Sequence, residues 1–333
     1  MYDAPSLHEI TGAASRWSGH HAALATRLGQ PGAVRLTEEQ EALALGVARR
    51  LVYQLAAGLP LKTPIENIWA RWESGGLPSA ALLAPSIFAR VEEYRWRRMM
   101  TGPLHDPLPG LFADTKANRR SAAAPTGIDA SHSSAIDAAL LNLRIADGGR
   151  SDPFGLPLLL PAELPQAGLR ALLFDTGAQD LAQAADMNSR APEIAAAVER
   201  VQAAHADCPI EAAARAYVAT LDEADCLAPA VADAIARHDW LVVIAVAAIK
   251  GRMRFADTAA LLVAADEVSV QRFFMDLGLT SESATPLLDS LAEIPGRPID
   301  PVPQPVQQDS EDMVRAVAAR AEALRACQHG DMR

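Results

Sequence analysis

"TEEQEALALGVARRLVYQLAAG", residues 37–58, decides the class of fold. The Thr37 hydroxyl can accept a hydrogen bond from the backbone N–H of Gln40, and the Gln40 side chain can reach back to the N–H of Thr37. That reciprocal pattern opens a helix. Leu43, Val47, Leu51 and Leu55 follow at intervals of four, the spacing of one helical face, and Gly58 closes it.

Outward from this stretch the same punctuation recurs. "TPIE" at Thr63 to Glu66 predicts a second capped start, with Pro64 at the first helical position, where a missing N–H costs nothing. That helix runs through Ile65, Ile68, Trp69 and Trp72 and stops at Gly75-Gly76. A third begins at Pro85, carries "ARVEEYRWRRMM" (89–100) and ends before Gly102-Pro103.

Residues 101–130 change character. Proline, glycine and small residues without helical periodicity mark a linker or long loop, and a connection of that length predicts a boundary. Helical patterns resume from Ser134, whose side chain with Asp137 can cap a helix through Leu143. After the turn-rich joint "GGRSDPFGLPLLLPAELP" (148–165), helices are expected from Pro165, over 192–205, 209–221 and 227–238, and within "WLVVIAVAAIKG" (240–251). Asp239 is placed to cap that last one and Gly251 to stop it. "DTAALLVAA", "EVSVQRFFMDLG" and "TPLLDSLAEI" continue the series.

The expected fold is therefore all-α: an array of short antiparallel helices, either HEAT- or TPR-like or an irregular helical bundle. No clean internal period supports regular repeats. The expected organisation is an N-terminal helical subdomain over 1–100, the linker 101–130 and a helical-array domain over 131–294. A proline-rich tether over 295–310 then leads to a terminal amphipathic helix over 311–328, with Val314, Val317, Ala318, Ala321 and Leu324 as its apolar stripe.

Composition limits function. Half the residues are apolar and only 5% aromatic, while lysine occurs only at Lys62, Lys116 and Lys250. A formal charge of −11 argues against general nucleic-acid binding, which needs a basic face to release counterions from phosphate. Three cysteines far apart make no disulfide framework and point to a reducing compartment. The amino terminus lacks a basic segment followed by an apolar core, so no secretory signal is expected. The longest apolar run, Trp240 to Ile249, is ten residues, whereas a membrane span needs about 20. A buried core helix and a cytoplasmic protein are the expectations.

Several segments together resemble the alphaproteobacterial family of domain of unknown function 2336. They are "LTEEQEALALGVARRLVYQL", "IFARVEEYRWRRMM", "FGLPLLLPAELPQAGLRALLF" and the series from "ARHDWLVVIAVAAIKG" to "SATPLLDSL", covering most of residues 37–294. The resemblance rests on apolar pattern and segment order. It implies a helical, repeat-like fold, and brings with it no activity and no functional residues.

Chemistry-bearing motifs are sparse. The phosphate loop G-x-x-x-x-G-K-[ST], G-x-S-x-G and H-E-x-x-H are all absent. His205, Cys208, Cys226 and His238 have the residue types of a zinc site, but an alanine-rich helix separates the two cysteines by some 20 Å. The alternative is two structural thiols and two surface histidines. His105-Asp106 and His238-Asp239 match the dipeptide of helical metal-dependent phosphohydrolases, although Asp239 also reads as a helix cap. "LDEADC" (221–226) lacks the alternation and glycine of a calcium loop.

Within "ARVEEYRWRRMM", Arg95 and Arg98 fall inside the arc of Val91 and Tyr94, whereas Trp96 points away. Glu93 and Arg97 stand four apart, the favourable order for an intrahelical pair. Arg95, Trp96, Arg97 and Arg98 are thus the candidate surface for a partner or ligand, with a packed helix of snorkelling arginines as the structural alternative. The functional expectation is a non-enzymatic scaffold that binds a protein partner, with bacterial signalling as its setting. It needs no metal or cofactor and leaves room for a homo-oligomer. A metal-dependent phosphohydrolase and a small phosphate or nucleotide sensor are the alternatives.

Overall fold

The Thr37 capping box forms as the sequence demands: the Gln40 N–H donates to Thr37 Oγ1 at 3.2 Å, and the Thr37 N–H donates to Gln40 Oε1 at 3.0 Å. It opens α1 (Glu38–Ala56), whose Val47, Ala48, Leu51, Val52 and Leu55 are buried. The computed structural model describes residues 24–25, 36–101, 130–184 and 187–294. The tether, the terminal helix and most of the linker named above lie outside these residues.

The remaining helices are α2 (Ile65–Gly75), α3 (Ala80–Thr101), α4 (Ala130–Gly148), α5 (Gln166–Leu181), α6 (Met187–Ala204), α7 (Pro209–Glu223), α8 (Leu227–Ala236), α9 (Trp240–Lys250), α10 (Phe255–Ala264), α11 (Glu267–Asp276) and α12 (Ser281–Ala292). A 3-10 turn, Pro161–Glu163, precedes α5. The fold is all-α, and among the described residues the extended pairing is one bridge, Ser151 with Pro157.

Packing is not that of a stacked solenoid, in which each repeat meets only its sequence neighbours. Helix α3 lies against α1, α5, α10 and α12, and α4 lies against α7. Of the two arrangements expected, this is the irregular bundle. Helix α9 occupies the centre, in contact with α7, α8 and α10, and every side chain from Trp240 to Ala248 is buried. A helix apolar all round has no face to give to water, so the core takes it whole. No helix among the described residues is long and apolar enough to cross a membrane.

Several expectations need correction. Helix α3 starts at Ala80, so Pro85 falls inside it instead of opening it, and α6 likewise contains Pro192. Helix α4 extends beyond the expected 134–143 at both ends. The second capping box does not form, because the Thr63 N–H donates to Asp180 Oδ1 at 2.7 Å and Pro64 takes the cap position. Nor do the helices on either side of 101–130 make separate domains. They belong to one compact unit, since the charged residues of α3 find their counterparts after the linker.

The turns after α7, α8, α9 and α11 share one device. Asp225, His238, Arg252 and Gly278 adopt positive φ, and the next N–H reaches back across the turn, as Cys226 does to Leu221 O at 3.0 Å and Met253 to Ala248 O at 2.8 Å. Only one of the four is glycine, which is why the sequence did not announce them all.

Candidate functional site

The charged half of α3 is inside the protein. Arg90, Glu92, Glu93 and Arg95 are all buried, and they are satisfied partly by one another along the helix and partly by charges that other elements bring. Arg150, which follows α4, is fully buried and forms the hub. Its Nη1 and Nη2 donate to the two oxygens of Glu93, each at 2.7 Å, and its Nε donates to Glu163 Oε1 at 2.7 Å. This is the bidentate fork that a guanidinium makes and an ammonium cannot. The Arg150 guanidinium also sits 4.9 Å from the centre of the Phe255 ring on α10.

Two further arginines complete the cluster. Arg97 donates to both oxygens of Asp147, at 2.8 and 2.6 Å, and to Glu93 Oε1 at 3.2 Å, the intrahelical pair the sequence predicts. Arg90 approaches Glu93 at 3.3 Å and donates to two backbone carbonyls, Leu158 O at 2.9 Å and Arg150 O at 2.6 Å. Three guanidiniums (Arg90, Arg97, Arg150) therefore meet three carboxylates (Glu93, Asp147, Glu163), and the cluster is neutral. Burial alone would push the Glu93 carboxyl up. Arg150, Arg90 and Arg97 outweigh it and hold that carboxyl at about 2. Burial likewise opposes ionisation of Asp147, but Arg97 keeps it well below the usual carboxylate range.

The four residues expected to form one surface are separated. Arg95 turns to α1, where its Nε donates to Glu39 at 3.2 Å, while its Nη1 donates to Glu92 of its own helix at 2.9 and 3.1 Å. Gln40, the capping residue, donates to Glu92 Oε1 at 2.9 Å, so a single amide closes the α1 cap and joins this pair. Trp96 is fully buried: its Nε1 donates to Ser290 Oγ at 3.2 Å, and its ring stacks on Trp240 at 5.2 Å. Arg97 is spoken for by Asp147 and Glu93, and Arg98 is exposed beside the Tyr94 ring. The single-face reading of α3 fails because helices cover it on several sides.

What the cluster builds is a loop. Arg90 holds the carbonyls at both ends of 150–158, and Arg50 Nη2 donates to Pro157 O at 2.9 Å. Inside it Asp152 Oδ1 accepts the N–H groups of Phe154 and Leu156 at 2.8 and 2.9 Å, an Asx turn that needs the positive φ of Gly155. At the tip Phe154 is 87% exposed. Arg150 carries no local signal of its role, since partners on other elements define it, whereas the turn that presents Phe154 is local.

The metal constellation does not assemble. Cys208 precedes α7 and Cys226 follows it, and burial raises both thiols, Cys208 to about 11. The His238 ring lies beside Trp240. Among the described residues no three His, Cys, Asp or Glu side chains are placed to share a metal ion. Asp239 does not cap α9 with its side chain, because Arg144 Nη2 occupies its Oδ2 at 2.9 Å. His105-Asp106 lies outside the described residues. Comparison with known protein families, curated proteins and solved structures finds no match for this chain.

Proposed function

We propose that the protein is a non-enzymatic, cytoplasmic scaffold that binds another protein through the Phe154 loop. The observation that carries this reading is a large aromatic side chain, 87% exposed, on a loop whose backbone is fixed by three buried or half-buried arginines. Holding an aromatic anchor in one conformation removes the ordering cost that a loose loop meets on binding. The charge cluster beneath it supports the loop and, being neutral, offers little to a phosphate. A role in bacterial signalling and membership of the domain of unknown function 2336 family belong to the same reading, on segment order.

The test is capture under native conditions with the full chain, compared with Phe154→Ala and Phe154→Asp. A protein retained by the natural chain and lost by both variants, at unchanged melting temperature, is the expected result. If both variants retain the same proteins as the natural chain, the loop is not the binding element.

A further inference from the structure

A second exposed feature lies on α4. Its Leu143 is buried, yet Leu141 is 58% and Ile145 64% exposed, and Ser134, Ala138 and Gly148 are exposed with them. These five positions fall on one helical stripe, with small residues at its ends and two branched apolar residues at its centre. Asp137 and Arg144 are seven residues apart, which places both on the same edge of that stripe. Asp137 makes no ion pair among the described residues, while Arg144 gives one nitrogen to Asp239 and keeps the others.

We propose that this face pairs with the same face of a second copy of the chain, α4 against α4 in antiparallel order about Leu141. The argument is charge complementarity. A two-fold axis across the helices brings the charged edge of one copy onto the charged edge of the other. About Leu141, Asp137 stands four residues to one side and Arg144 three to the other. Each Asp137 therefore comes level with the partner's Arg144, within about 1.5 Å along the axis. The same register sets Ile145 over the gap left by the partner's Ala138, and Leu141 meets its own copy. A parallel two-fold arrangement would place the two charged edges on opposite sides of the interface, where neither Asp137 could reach the partner's Arg144.

Mass measured by light scattering on the full chain, over a series from micromolar to hundreds of micromolar, tests the proposal. The expected result is a rise to twice the monomer mass. The double variant Leu141→Glu/Ile145→Glu, at exposed positions, keeps the helical content and melting temperature of the dilute natural chain but stays at monomer mass throughout. Asp137→Arg, which removes both symmetry-related pairs, shifts the association about tenfold weaker, the scale of two exposed charge pairs, and Phe154→Ala leaves it unchanged. A natural chain that stays monomeric overturns the proposal, as does a dimer that survives the double variant. A dimer indifferent to Asp137→Arg overturns the antiparallel register. Loss of the dimer in Phe154→Ala would move the interface to the loop, and co-elution of a different protein that the double variant loses would give the face to that partner.

Discussion

Helix α9 and the charged stretch of α3 from Arg90 to Trp96 are both largely hidden from water, and they are hidden for opposite reasons. From Trp240 to Ile249, α9 carries no charge and is held by shape and the hydrophobic effect. Between Arg90 and Arg97, α3 carries five charged residues and is held by particular partners, chief among them Arg150, 57 positions from Glu93. Apolar burial accepts any neighbour of suitable volume. Charged burial accepts only a neighbour with the right group in the right place. The two helices thus divide the work: α9 supplies much of the drive to collapse, and α3 dictates which elements end up beside it.

The sharpest way to break that division is Arg150→Met. It leaves Glu93 and Glu163 buried without their main counter-charge, at an expected cost of about 4 kcal/mol in urea unfolding. Faster hydrogen exchange over 150–158 should accompany it. Ile244→Ala removes volume from the centre of α9, and the expected loss is about 3 kcal/mol. That loss should leave exchange in the 150–158 loop unaltered at native temperature, because no hydrogen bond of the loop depends on α9.

The smallest effect is a matter of acidity. The Glu93 carboxyl is held at about 2 in the folded protein, below its ordinary 4.5. A depressed carboxylate contributes stability that is complete above the unfolded value and lost as pH falls towards the folded one. Roughly 1 kcal/mol should be gone by about pH 3.5, read as a fall in melting temperature. Arg150→Met should move this window upward, whereas Ile244→Ala should leave it in place.

The contrast also explains what could be read in advance. Thr37 and Gln40 lie three residues apart, so their capping box was visible locally, and the ten apolar residues of α9 are explained by burial alone. The fate of Arg95 or Trp96 was not visible, because it depends on Glu39, Ser290 and Trp240, far along the chain. Thr63 shows the same limit, since its local cap lost to Asp180, 117 residues away. Periodicity assigns one wet face to a helix. It assigned α3 such a face, and the surrounding helices took it away.

The stacking of Trp96 on Trp240 has an optical consequence. One indole precedes the 101–130 segment and the other follows it, with centres 5.2 Å apart and planes inclined by 24°. Transition dipoles at that distance couple, so the pair should give a split circular-dichroism band that neither indole gives alone. The band would vanish when the two parts of the chain separate, and in Trp96→Phe. The protein thus contains its own gauge of core closure, readable by light without any attached label.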